Sequence, residues 1–419
     1  MFFYIFIVLF SFFSSLLEAI APLNLIRPYD ETFLFLPLKD ARFECNFLYE
    51  QSTNISAAQE CFNSPHFLYD KVNPLQIYQT EQDSLAALKG STTNSAIGQL
   101  AQAFTVDDDN DNRGHFLPSG KLDFYNGILT ARYTTHHVSF TASLPYCMIE
   151  LKNVLFKNLT NNTTAEDALV RNLLTDNFKE NIWELGHLAI GNYKRHGLSD
   201  LYLGATYNQL FPHKQGLLSN VNLQIQGGFT LPTGKKRDIN QLFAFEFGNN
   251  GSVGAVFGGG IDLNYVDRVR IGGNAQFLYI FGNSNCERIK TDLAQTDLLF
   301  LTTAKAYTQW GLTQKFYIYG ELYKIIKNIS LQAGYQYIRH DNDKLYVSSN
   351  SIYLPIVNSA QSLQEWTINT LVLKARYEHD EELPDRCWSP RIEFFYKKGF
   401  NGRNSLISSS IGGHVSFSF

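Results

Sequence analysis

The chain has 419 residues, a net charge of −4 and 18% charged residues. That balance gives no sign of a nucleic-acid-binding protein, which would carry a basic patch. Aromatic residues make up 14%, mostly Phe and Tyr, a content shared by soluble β-rich cores and by barrels whose rings face lipid.

In chain order, residues 1–21 read as a secretory leader. The apolar run Phe2–Phe13 is followed by small and polar residues, and Ala19-Ile20-Ala21 fits the A-x-A cleavage pattern. No Lys or Arg precedes the run, and Pro22 follows the cut directly. Ser11, Ser14, Ser15 and Glu18 interrupt it, so it falls short of the ~20 apolar residues of a spanning helix. No other segment reaches that length, so any further membrane crossing must be by strands. Residues 22–419 are expected to form one domain.

Period-two alternation recurs from about residue 120 to the end. Val253, Ala255, Phe257, Gly259, Ile261, Leu263 and Tyr265 fall on one face, with Gly254, Gly258, Gly260, Asp262 and Asn264 on the other. The pattern predicts strands at about 42–49, 121–134, 136–147, 199–210, 219–231, 253–265, 268–281, 313–325, 328–340, 366–379, 389–398 and 405–419. Most exceed the ~5–6 residues usual in soluble sheets and match the ~9–11 of a tilted membrane strand. The connections sort too. With strand 1 rising from the periplasm, long loops (50–120, 148–198, 232–251, 282–312, 341–365) alternate with short or moderate turns, except for the short loop 399–404. Bacterial barrels have this asymmetry.

Two long loops carry helix-period stretches, Asp83–Phe104 and Thr164–Leu185. They are expected to cap the mouth, to fold inward as a plug or, as the plainer arrangement, simply to pack on the loops.

Chemical motifs are sparse. Asp107, Asp109 and Asp111 stand at calcium-loop spacing, but Asn112 replaces the sixth-position Gly and no Glu stands at position twelve. Gly227–Lys236 fails the phosphate-loop spacing. No Gly-x-Ser-x-Gly elbow and no His-Glu-x-x-His is present. We therefore expect no enzyme, catalytic residue or cofactor. Among five cysteines, Cys45 and Cys61 are near enough in sequence to bridge a loop, or all five are free. The face opposite the apolar stripes carries Arg132, Asp262, Arg268, Arg270, Asn274, Lys374, Arg376, Arg391 and Glu393. These are the candidates for a polar lumen wall. Charged rings tune ion passage; equally, paired charges hold a narrow barrel full.

Two blocks carry a resemblance: Gly197-Leu198-Ser199-Asp200-Leu201-Tyr202-Leu203-Gly204, then Leu223–Phe229 running into Thr230-Leu231-Pro232-Thr233-Gly234, with Gly258-Gly259-Gly260 as a third part. Over about residues 197–283 the chain resembles outer-membrane proteins of the meta-pathway of phenol degradation. That family is allied to the long-chain fatty-acid transporters. The resemblance implies a barrel of about 12 strands that moves hydrophobic compounds inward. The C-terminus departs from the family's assembly signal, since Gly413 precedes Phe417 by four positions.

The expectation is an all-β protein: a single transmembrane antiparallel up-and-down β-barrel of about 12 strands, with short helices in two long outer loops, in the cell outer membrane. Its partners would be outer-membrane lipid, the assembly machinery and a small-molecule cargo. The leading function is passive uptake of small hydrophobic or amphipathic molecules. The rivals are a general diffusion porin and a surface adhesion or structural barrel acting through its long loops.

Overall fold

The computed structural model describes residues 19–20, 42–59, 70–89, 113–172, 176–213, 216–266, 268–326, 328–348, 352–378 and 389–418. Twelve antiparallel strands form a closed ring. They are β1 (Arg42–Gln59), β2 (His115–Thr135), β3 (Val138–Asn158), β4 (Leu201–Pro212), β5 (Leu218–Leu231) and β6 (Gly254–Tyr265). The second half is β7 (Val269–Ile280), β8 (Thr313–Ile326), β9 (Ile329–His340), β10 (Trp366–Glu378), β11 (Ser389–Arg403) and β12 (Ser405–Ser418). Each strand pairs with its sequence neighbours, and β12 closes on β1 with Ser418 opposite Glu44 and Ser405 opposite Ala58. Closure leaves no ladder edge, the condition for strands to cross lipid.

Alternation decides which side chain faces where. Phe43, Phe47 and Tyr49 of β1 are exposed on the outside, while Glu44, Asn46 and Leu48 are buried inside. The same exchange runs around the ring: Leu129, Leu203, Ile225, Ile271, Ile318 and Ile411 point out. In water such a belt would be a large uncompensated apolar surface; in a bilayer it is the lipid face. Aromatic rings edge it. Phe43, Tyr133, Tyr207 and Tyr377 lie toward the short-turn end, and Tyr146, Phe229, Tyr279 and Phe281 toward the long-loop end. The protein is thus an outer-membrane barrel, with short turns periplasmic and long loops outside.

Several expectations need adjustment. β1 runs to Gln59, ten residues past its predicted end, and β2 and β3 are 21 residues each, so their outer ends rise above the membrane. An extended run from Cys45 to Gln59 spans roughly 45 Å. Cys45 is a free thiol, and Cys61, its expected partner, lies outside the described residues. The helix expected over 83–104 does not begin as one: Gln82–Asp83 pair with β2, and Ala86–Leu88 make a single 3-10 turn. Residues 90–112, including Asp107, Asp109 and Asp111, lie outside the described residues. The stretch 164–185 contains two helices, α1 (Ala165–Val170), opened by a Thr164/Asp167 capping box, and α2 (Phe178–Gly186). The loop expected at 399–404 shrinks to Asn404, in the left-handed region at φ 49°. Of residues 1–21, the expected leader, only Ala19–Ile20 are among the described residues, and they bridge to Ile407 and Leu406.

Outside the membrane the loops build their own layer. Three short strands, Asn283–Arg288, Thr303–Gln309 and Lys344–Val347, form a separate sheet. α2 buries Phe178 and Ile182 against Leu85, Leu88, Phe116 and Leu299. The helices therefore pack on the outer loops, the plainest of the expected arrangements.

Candidate functional site: the lumen and its outer cap

The lumen divides into two halves. Toward the periplasm it is ionic. Glu321 of β8 accepts from Arg270 of β7 at 3.1 Å and from Arg376 of β10 at 3.1 Å. Arg376 also reaches Glu393 of β11 at 3.2 Å, and Lys374 closes the chain on Glu393 at 3.1 Å. Arg391 lies 3.0 Å from Glu378. Across the ring, Arg132 pairs with Glu44 at 3.1 Å. Asp262 accepts from Asn222 at 3.3 Å and from the Tyr319 hydroxyl. Burial of these charges is tolerated because each carboxylate meets a cation or donor.

Seven of the nine predicted lumen residues enter this network or its neighbouring pairs. Asn274 faces inward, half-buried, beside it. Arg268 does not: it is exposed at the periplasmic turn between β6 and β7, where the chain has left the alternating strand. Sequence reading missed Glu44 and Glu321, the acidic centres of the two networks. The period-two signal was available, since Glu321 alternates with Gly320 and Leu322.

Toward the outside the lumen is apolar. Ile55 of β1, Leu122 and Phe124 of β2, and Ile149 and Leu151 of β3 turn inward there. Leu75 and Ile77 of the first outer loop and Phe245 and Phe247 of the 232–253 loop fill the space between them. Each large side chain so buried stabilises by about 1.5–3 kcal/mol.

The 232–253 loop is held in place by the very block that carries the family resemblance. The Asp200 carboxylate, just outside β4, accepts from the Gly234 amide at 3.0 Å and from the Asn249 amide at 2.6 Å, clasping both ends of the loop. Thr233 donates to Ser199 O at 2.9 Å. A Cβ on Gly234 would sit 1.7 Å from Phe247 O, and Gly248, at φ +113°, packs on the Asp200 carboxylate. Tyr193 and Arg195 donate to the carbonyls of Phe243 and Phe245. The block's residues thus anchor a loop.

Above this plug lies a cavity of about 160 Å³ between the outer loops. Leu242, Leu298, Phe300 and Trp310 give it apolar walls. Arg288 stitches its floor, donating to Phe300 O at 2.9 Å, Gly186 O at 2.9 Å and the Ile239 carbonyl. Burial lowers its pKa to about 10. Arg237 pairs with Glu287, and Lys290 lies 3.7 Å from Asp297. Glu246 is 2% exposed, and among the described residues no other residue hydrogen-bonds either of its carboxylate oxygens. Burial pushes its pKa up. Sequence reading named none of these loop residues. The one available signal was the alternation of Phe243, Phe245 and Phe247 with Ala244 and Glu246 inside a stretch read as loop. Among the described residues, no group of His, Cys, Asp and Glu side chains is placed to hold a metal ion.

No protein-family model matches the chain, and no curated protein does. Solved structures do. An outer membrane channel from Pseudomonas putida F1 superposes with a TM-score of 0.50 and 11% identity, covering 94% of this chain and 100% of that one. CymD, a monoaromatic hydrocarbon channel, covers 91% of this chain and 88% of its own at 10% identity. A Pseudomonas aeruginosa FadL homologue covers 91% and 90% at 9% identity. Both of these reach a TM-score of only 0.30, too loose to carry an argument. The first likeness concerns the fold.

Proposed function

We propose that this outer-membrane barrel takes up small hydrophobic or amphipathic molecules passively, down their gradient, through an occluded lumen. The observation that carries this reading is the apolar outer half of the lumen, where Leu75, Ile77, Phe245 and Phe247 pack against Phe124, Ile149 and Leu151. Ions and sugars crossing there would lose much of their hydration against these apolar side chains. An apolar solute meets no such cost. Below, the Arg270–Glu321–Arg376–Glu393 chain presents side chains that separate or close without breaking the barrel's backbone ladder. The resemblance to the phenol-degradation proteins agrees with an apolar cargo, and we carry it as part of the proposal.

Planar-bilayer recording of the refolded protein tests this, with folding checked by heat-modifiable gel mobility. The expected result is a folded barrel that passes almost no ionic current yet admits toluene into cells made dependent on it. Large, steady conductance steps in the unmodified protein would instead identify a general porin. Toluene entry unaffected by deleting the gene would remove the uptake reading and favour the surface-binding one.

A further inference from the structure

The cavity above the plug has one group that its surroundings leave unanswered. Glu246 lies in the 232–253 loop between Phe245 and Phe247, which pack in the plug, and its carboxylate is buried among the cavity walls. Its oxygens find no hydrogen-bond partner on any other described residue. Leaving a carboxylate so placed costs several kcal/mol. The cations nearby are committed elsewhere: Arg237 to Glu287, Lys290 to Asp297, and Arg288 to backbone carbonyls. The other acids are answered too. Asp343 accepts from Gly311 N at 2.7 Å and lies 3.0 Å from His340, and Asp238 accepts from Asn240 N at 3.0 Å. The lining therefore holds five carboxylates against three cations, and Glu246 is the one among them whose oxygens no other described residue hydrogen-bonds.

We propose that this cavity binds an amphipathic amine, with its ammonium group on the Glu246 carboxylate and its apolar body against Leu298, Phe300 and Trp310. An ammonium brings three donors and one positive charge, the complement of what the site lacks. A neutral apolar solute leaves the carboxylate unanswered, and an anion is repelled. The volume of about 160 Å³ limits the body to roughly one ring, since a dry cavity of ~150 Å³ accommodates benzene. The inference rests on the uptake reading and narrows it: the outer cap would select cationic amphipaths from the wider apolar class. Because burial raises the Glu246 pKa, the empty site takes up a proton more readily than an exposed carboxyl would. Amine binding competes with that proton and weakens on acidification. The charged and titratable groups around it (Tyr78, Arg195, Arg237, Asp238, Glu287, Arg288, Lys290, Asp297 and Asp343) act with it in any titration.

The test is calorimetry on the refolded full barrel in detergent at pH 7.5, comparing benzylamine with benzyl alcohol, which has the same ring and no charge. Benzylamine is expected to bind at one site at least about tenfold more tightly, a difference of ~1.4 kcal/mol. Glu246→Gln should bring the amine down to the alcohol's affinity, and Glu246→Asp should retain part of the preference. Equal affinities in the unmodified protein, or an amine preference that survives Glu246→Gln, would overturn the inference and leave the uptake reading standing. Absence of binding by both ligands would remove the cavity from the uptake route altogether. If Glu246→Gln fails the gel-mobility check for folding, the amine–alcohol comparison in the unmodified protein decides alone.

Discussion

The two halves of the lumen are closed by different physics. The periplasmic half is filled by side chains of the strands themselves, locked in pairs such as Arg270–Glu321 and Lys374–Glu393. The outer half is filled by loop residues, Leu75, Ile77, Phe245 and Phe247, which pack without directional bonds. The first closure belongs to the barrel and shares its stability. The second is added to the barrel through a clasp at Asp200, and so can loosen while the barrel persists. On the proposed uptake reading, opening the lumen needs a moving cap more than a moving wall.

Substitutions should separate the halves, and the largest effect belongs to the ionic one. Glu321→Ala removes the carboxylate partner of Arg270, leaving it the Asn264 amide oxygen at 2.8 Å, and one of the carboxylate partners of Arg376. Removing one partner of a buried pair costs about 3–5 kcal/mol, so the urea midpoint of the folded barrel should fall sharply while protease resistance of the outer loops is unchanged below that midpoint. If loops and barrel loosen together, the halves are not independent. Next, Asp200→Ala removes the acceptor for two loop amides, worth about 2–3 kcal/mol. Here the reverse is expected: early proteolysis within 232–253 and rising bilayer conductance, with the barrel's midpoint nearly constant. Gly234→Ala should act in the same direction with about 1–3 kcal/mol of overpacking, because the added methyl meets Phe247 O. A silent Gly234→Ala barrel with intact loops would show that the clasp yields without opening the plug.

The smallest effect is a pH dependence confined to the cap. The folded-state pKa of Glu246 is raised above the ordinary 4.5, so between 4.5 and that raised value the folded state holds more proton than the unfolded. Stability then declines as pH rises through this window. Glu246→Gln should accordingly protect the loops from proteolysis at pH 8 relative to the unmodified protein. The gain should vanish below pH 4.5, where the carboxyl is protonated in both states. A Glu246→Gln advantage that is constant with pH would mean that the side chain acts by shape alone.

Much of the wall could be read from the chain. Arg132, Asp262, Arg376 and Glu393 announce their inward direction because strand neighbours alternate, and alternation is a property of residues one and two apart. Arg268 misled for the same reason: it continues the pattern by one residue into a turn, where the rule lapses. The Gly-Leu-x-Asp and Leu-Pro-Thr-Gly block was legible as a recurring pattern, but its work was not. Asp200 and Gly234 are 34 residues apart, and Asp200 and Asn249 are 49 apart.

What the sequence determined alone is therefore the ring: twelve crossings, their lipid and lumen faces, and which ends carry long loops. These follow from local periodicity and from lipid's demand that every strand find a partner. Tertiary structure alone decided how the ring is closed. Glu321 meets Arg376 across an intervening strand, and Glu246 comes to rest in a cavity with Glu287, Asp297 and Asp343 drawn from other loops. Those encounters join residues tens to a hundred positions apart, at distances no periodicity encodes, and they are fixed only when the barrel brings the loops over one mouth.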